Sequence, residues 1–147
     1  MQKVTDSIEF ANKIGLAYGR ACKPLCQKLG LPQTAVDILM CLANNPAYKT
    51  ASDIVEVRRI KANLVSVNVD RLVQEGLLER CPVPEDRRKT ELVCTEKARP
   101  CIEQGRALQQ QFLSRMLQGI DEAQLQVFGE TIGQMGANLD EMLKENA

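Results

Sequence analysis

Apolar residues recur along this chain in steps of three and four almost from its start. Val4, Ile8, Ala11, Gly15, Tyr18, Cys22, Leu25 and Leu29 form one stripe, with Phe10, Ile14, Ala17 and Ala21 beside it. That is a helix apolar over a wide arc, and such an arc asks for more than one neighbour. Pro24 lies inside the pattern and predicts a kink or break near Lys23, and Gly30 ends the helix. Leu31-Pro32-Gln33-Thr34 opens a second helix with Val36, Ile38, Leu39, Cys41 and Leu42 inward, stopped by Asn44-Asn45-Pro46. Thr50 or Ser52 can cap a short third helix whose inward residues are Ala51, Ile54 and Val55. Val57-Arg58-Arg59-Ile60 is the turn after it, without the glycine that a tight turn favours.

The next helix, from about Lys61 to Glu75, can be resolved by face. Val65, Val69 and Leu72 cluster inward, flanked by Asn68 and Val73. Asn63, Val67, Asp70 and Gln74 point away, with Leu64, Ser66 and Arg71 at the margins. Gly76 supplies the left-handed cap. A purely solvated face would carry more Lys and Glu; outward Val67 and Leu64 suit contact with a surface, thymine methyls being one candidate. From Leu77 to Val83 and from Thr90 to Cys94 the period changes to two, predicting strands around the loop Pro84–Lys89, with Leu92 and Cys94 on an inner face. Arg87-Arg88-Lys89 in that loop would be a solvated charge run in most settings. Directly after this helix pair, it suits a phosphate backbone or a minor groove.

Thr95 is the expected cap of a fifth helix, with Pro100 in its first turns and Ile102, Leu108, Phe112, Leu113, Met116 and Leu117 on its apolar face. Asp121 and Gln124 have the spacing of a capping box. The last helix repeats Leu125, Phe128, Ile132, Met135, Leu139 and Met142, a heptad seam that wants a partner helix. The same stripe serves as the core face of any bundle helix, but seams at both ends of the chain favour a homodimer. The expected fold is mainly α with a small β-hairpin wing: a winged helix-turn-helix whose flanking helices form a dimerisation bundle. Residues 1–147 form one domain, with 31–98 as the winged lobe and 1–30 and 99–147 as dimerisation helices.

Composition changes this picture little. A chain of 147 residues suits one compact domain, and three Phe, two Tyr and no Trp suit packed helices better than a β-sandwich. The net charge is zero, so no basic excess announces nucleic acid. The charge is uneven, however: residues 1–30 hold Lys3, Lys13, Arg20, Lys23 and Lys28 against Asp6 and Glu9. Residues 121–147 hold only Lys144 against Asp121, Glu122, Glu130, Asp140, Glu141 and Glu145. Local placement is what steers binding. No signal peptide or membrane-length apolar run is visible, so a cytoplasmic location is expected, no membrane association, and the six cysteines reduced. With no histidine and no CxxC pair, neither a metal site nor another cofactor is expected. Nor is there a glycine-rich phosphate loop or a recognisable carboxylate pair, so no enzymatic activity is expected.

At the hairpin the pattern becomes specific. Asp70-Arg71-Leu72, Gly76-Leu77, Arg80, Glu85-Asp86-Arg87-Arg88 and Cys94-Thr95-Glu96-Lys97-Ala98 follow one another. Together with Leu31-Pro32-Gln33-Thr34 and Ile38-Leu39, this order resembles the MarR family of bacterial transcription regulators, over nearly the whole chain. The resemblance implies a homodimeric, sequence-specific regulator of double-stranded DNA, most simply a ligand-relieved repressor on a pseudo-palindromic operator. It places the Lys61–Glu75 helix in a major groove and the wing along the adjacent minor groove. Ala62, Asn63, Ser66 and Val67 would face base edges, and Thr50, Ser52, Arg58, Arg59 and Lys61 would meet the backbone. Arg71 and Lys89 would join that surface. Asp86 would brace the wing, often by pairing with an arginine such as Arg88, and Arg87 or Arg88 would enter or line the minor groove. Ile8, Ala11, Leu125, Phe128, Ile132, Met135 and Leu139 would join two copies. A small aromatic effector would use a cleft near Tyr18, Cys22, Leu25, Met40 and Cys41, residues that otherwise simply pack.

The chain departs from the family pattern at Lys61-Ala62, where small hydroxyl residues are usual, and at Ala98, commonly glycine. Two other readings stay open. Oxidation of Cys22, four residues from Cys26 and near Arg20 and Lys23, could be the switch. Alternatively, the winged helix could bind protein, which Leu64 and Val67 permit and the basic wing disfavours.

Overall fold

The second helix, α2 (Gln33–Asn44), is the most deeply enclosed: Ala35, Val36, Ile38, Leu39, Met40, Cys41 and Leu42 are all buried. The structure is a computed structural model describing residues 2–145, with side chains from residue 6, so Val4 lies outside the described side chains. Around α2 stand α1 (Gln2–Leu29), α3 (Ala51–Arg58), α4 (Ala62–Gln74), the strands β1 (Leu78–Val83) and β2 (Asp86–Cys94), and α5 (Arg99–Met116). A short 3-10 turn (Glu96–Ala98) joins β2 to α5, and α6 (Glu122–Glu145) closes the described chain. The chain forms two compact units that divide after Phe112.

Within the first unit, Leu25, Leu31, Ile38, Leu39, Ile54, Val65, Val69, Leu72, Leu77, Leu78, Leu92 and Ile102 belong to one core. Every element from α1 to α5 contributes to it, which fixes α4 and the hairpin against α2. The approach of α5 to α2 is close. A Cβ added to buried Gly105 would run into Met40 Sδ and lie 3.0 Å from its Cε.

Helix α1 changes character along its length. Cys22 and Leu25 are buried and Tyr18 and Leu29 half-buried, whereas Ile8, Phe10, Ala11, Gly15 and Leu16 are exposed. Pro24 does not break it. Pro24 is exposed, so the carbonyl it leaves unpaired one turn earlier can be hydrated, which removes much of the penalty. Gly30 ends the helix at φ 66. Thr50 caps α3 in a full capping box with Asp53: Oγ1 accepts from the Asp53 N–H, and the Asp53 carboxylate accepts from the Thr50 N–H. Ala51, expected inward, is exposed, because α3 presents only Ile54 fully to the core.

The run Thr95-Glu96-Lys97 turns out to finish α4 rather than to start α5. Gly76 is left-handed at φ 76. The Leu77 N–H reaches back to the Leu72 carbonyl, Lys97 Nζ donates to the Glu75 carbonyl at 2.8 Å, and Thr95 Oγ1 donates to the Gly76 carbonyl at 2.6 Å. Thr95 therefore makes no side-chain cap; its hydroxyl satisfies a carbonyl that the helix end leaves open. Arg80 pairs with Asp70, tying β1 to α4.

In the second unit, Asp121 and Gln124 form the expected reciprocal pair at the start of α6. Not one residue of α6 is buried.

Candidate nucleic-acid interface

Helix α4 turns Val65, Asn68, Val69 and Leu72 inward. Asn68 is the buried polar residue, and its Nδ2 donates to the Leu64 carbonyl one turn back, which satisfies it locally. Outward, Ala62, Asn63, Leu64, Ser66 and Val67 are exposed together, with Val67 at 64%. The first turn has no side-chain cap, since Lys61 stands at the cap position. Its N–H groups therefore lack a side-chain acceptor and carry the positive end of the helix dipole.

The turn before α4 solves its missing-glycine problem with strain. Arg59 is left-handed at φ 54 and ψ 36, and is the only non-glycine residue with positive φ among those described. This conformation costs an ordinary side chain about 1 kcal/mol or more. It sets Arg58, Arg59 and Lys61, all exposed, at the amino end of α4.

The wing differs from the expected loop. Only Pro84-Glu85 turns, and β2 already begins at Asp86. Val83 pairs with Asp86, but its neighbour Pro82 pairs with Thr90. Arg87, Arg88 and Lys89 therefore fall between two pairs that are adjacent on β1. Pro82 has no N–H to continue the ladder, so a bulge there sacrifices little, and the bulge carries all three cations. Asp86 does brace the wing, but through the main chain: its Oδ1 accepts from the Arg88 N–H at 2.9 Å. No ion pair holds the Arg87, Arg88 or Lys89 side chain among the described residues. At its inner end β2 is pinned to the segment before α3, the Leu92 N–H donating to the Lys49 carbonyl at 2.7 Å. Lys89 lies near enough to Asp53 to help depress its carboxyl, after the Lys49 and Thr50 N–H groups that do most of it.

A cleft of about 450 Å³ runs between these parts, lined by Ser52, Glu56, Ala62, Ser66, Arg80 and Thr90 among others. Ser52, Ala62, Ser66 and the hairpin residues Arg80 and Thr90 thus share one concavity. Thr50 borders it with its hydroxyl engaged in the α3 cap. Arg71 does not belong there. Its Nη2 donates to the Gly30 carbonyl at 2.9 Å and its Nε to Glu75 at 3.1 Å, so it secures the end of α1 at the far end of α4.

The residues of the expected effector cleft pack against the protein. Cys22, Leu25, Met40 and Cys41 are buried. Tyr18 stacks edge-on against Phe112, and its hydroxyl accepts from Gln109 Nε2 at 3.1 Å. Burial raises the Tyr18 hydroxyl to about 12. A second cleft, of about 440 Å³, is lined by Cys94, Arg99, Arg106 and neighbours and includes none of these five residues. Gln109 also accepts from Asn44, which accepts from Arg106, so α1, α2 and α5 are joined by one polar chain. The balance at Cys22 runs against activation. Burial pushes its thiol up, a Tyr18 hydrogen bond lowers it in part, and the Asp37 carboxylate adds to the rise, where Arg20 and Lys23 had been expected to do the opposite. Among the described residues there is no cluster able to hold a metal ion, and no helix is long and apolar enough to cross a membrane.

Helix pair, strained basic turn and hairpin define a winged helix-turn-helix. The MarR family model matches residues 29–89. The crystal structure of transcriptional regulator PA3341 is similar, with a TM-score of 0.81 at 25% identity over 92% of this chain and 98% of that one. The transcriptional regulator SlyA matches at a TM-score of 0.81 and 18% identity, over 97% of this chain and 99% of its own. A MarR-family regulator from Listeria monocytogenes, solved with a 26mer DNA, matches at 0.79 and 15%, over 91% and 89%. These last two show the fold alone. No curated protein matches the sequence. Residues 29–89 thus match the MarR family model, and the fold is the winged helix of the transcriptional regulators solved in that family.

Proposed function

We propose that the protein is a homodimeric, sequence-specific DNA-binding repressor. The observation that carries this reading is the pairing of an uncharged outward face on α4, Ala62 to Val67, with exposed cations in the turn before it and in the wing bulge after it. Base edges need small polar and apolar groups; phosphates need charge. On this reading Asn63, Ser66 and Val67 read the major groove, Ala62 lets the helix approach, and Arg58, Arg59 and Lys61 hold one backbone. Arg87, Arg88 and Lys89 reach the adjacent minor groove or its phosphates, with Thr50 and Ser52 as further backbone donors. The Listeria monocytogenes neighbour with bound DNA supports this at the level of the fold. The seam of half-buried Leu125 and exposed Phe128, Ile132, Met135 and Leu139 on α6, with exposed Ile8 and Ala11 on α1, supports a second copy as the partner. Two copies would address half-sites about 34 Å apart. Bound across a promoter, such a dimer would exclude polymerase.

Titrating the protein onto the intergenic DNA upstream of its own gene at increasing salt tests the reading. A specific complex should weaken steeply with salt as counterions are released. Arg88→Ala should lower affinity for every sequence and reduce the salt slope by about 1, whereas Asn63→Ala should change sequence preference. Absence of any salt-sensitive, sequence-specific complex would reject DNA binding as the function.

A further inference from the structure

Asp37 lies outside the wing and α4, yet it is a charged residue whose side chain is only 16% exposed. It stands on α2 between two other elements. From α1, Tyr18, Cys22 and Cys26 face it, and its charge helps push all three upward. From α3, Arg58 Nη2 approaches its Oδ2 to 3.8 Å. Burial raises the Asp37 carboxyl above the ordinary carboxylate value, and Arg58 draws it partly back. At that distance the contact is an ion pair, too long for a hydrogen bond, so either partner can leave readily. Arg58 is the last residue of α3, and its side chain is 45% exposed. A mostly buried carboxylate that loses its cation is shifted further toward its neutral form.

We infer that Asp37 is a positioning residue for DNA binding: it holds Arg58 back in the free protein and takes up a proton when Arg58 turns to a phosphate. The inference rests on the DNA-binding reading above. Its consequence is a pH dependence of defined sign. Without Arg58 the carboxyl of the complex is raised further than in the free protein, so the complex binds the extra proton. Affinity is then greatest on the acid side and falls as pH rises through the interval between the two values, which lies above the usual carboxylate range. Tyr18, Cys22 and Cys26 are raised and stay neutral across that interval. Asp53 is depressed and stays ionised. None of these four contributes the slope.

The test uses the whole protein and a labelled duplex of its upstream intergenic DNA, at fixed salt, from about pH 5 to about pH 8. Wild-type affinity should fall with rising pH, by no more than about tenfold per unit for one linked proton. Asp37→Asn should bind about three- to tenfold more tightly near neutrality and lose the slope. With Arg58→Ala already present, Asp37→Asn should bring no such gain. An Asp37→Asn protein that binds equally or less well, or keeps the slope, overturns the inference. Calorimetry of the wild-type protein in two buffers of different ionisation heat reads proton uptake without any variant. Wild-type binding with no uptake overturns the inference alone; no wild-type binding overturns the DNA reading itself.

Discussion

Helices α2 and α6 carry the same three-and-four spacing of apolar residues but end in opposite surroundings. In α2, seven of twelve residues are buried by neighbours from the same chain. In α6 none of twenty-four is, and Phe128, Ile132, Met135, Leu139 and Met142 are each about half exposed. A periodic stripe thus says that a face is built to be covered, and says nothing about what covers it. An isolated helix gains too little from its own hydrogen bonds to justify such a face, since helical stability in proteins comes mostly from packing. The proposed second copy would resolve the difference, with α2 covered on folding and α6 on association.

The largest effect should come from denying α6 that cover. Ile132→Asp combined with Leu139→Asp places two charges in the proposed seam, where neither would find a counterion on an apolar partner face. Sedimentation should show the wild-type chain at twice the single-chain mass and the variant at the single-chain mass. The melting temperature of the wild type should rise with protein concentration and that of the variant should not. Operator affinity should fall by about a hundredfold or more, because linkage of two binding lobes is lost. A variant that remains dimeric would remove these residues from the interface.

The contrast between the two helices also marks how far the sequence could be read. Period and caps placed α2, α4 and α6 closely, and Asp121 with Gln124 announced the start of α6. The inward set of α4 was legible because Val65, Val69 and Leu72 fall on one face at helical spacing. What escaped was decided by contacts distant in sequence. Arg71 looked like part of a basic face, but it donates to Gly30, forty-one residues away. Thr95 looked like a cap, but its hydroxyl goes to Gly76. The wing cations were placed in an open loop because Pro82 and a bulge leave no periodic mark. Asp37 gave no signal at all, since a single acidic residue on a buried helix reads as an ordinary solvated position. Pro24 misled in the other direction, since its cost depends on exposure that a sequence does not show.

A smaller effect should separate the first unit's own packing from the open face of α6. Gly105→Ala forces a methyl against the Met40 side chain, which is 3% exposed and must shift within the core to admit it. Denaturant unfolding should show a loss of about 1–3 kcal/mol, the usual range for overpacking. Met40→Ala alone should also destabilise by leaving a cavity, but the double variant should lose less than the sum of the two. The same Gly→Ala change at Gly129 or Gly133 on α6, where an added Cβ meets nothing within 4 Å of the single chain, should instead stabilise the helix by up to about 1 kcal/mol. Losses at those positions comparable to Gly105 would mean that something packs on that face, and the proposed partner helix would be the first candidate.

The smallest effect concerns Arg59, where local conformation and proposed chemistry make opposite demands. Glycine tolerates φ 54 without steric cost, so Arg59→Gly relieves strain in the folded turn. Part of that gain is offset because glycine also frees the unfolded chain, leaving a net stabilisation of roughly 0.5 kcal/mol. If Arg59 holds a phosphate, the same change should weaken DNA binding by about three- to tenfold and lower the salt slope by about 1. Asparagine offers the control, since it enters the left-handed region more easily than arginine and carries no charge. Arg59→Asn should match the loss of affinity with a smaller gain in stability. Were both variants to keep wild-type affinity and slope while melting higher, the arginine would be a poorly chosen turn residue with no place on the DNA surface. A stability gain joined to an affinity loss would explain why a strained arginine stands where glycine fits better.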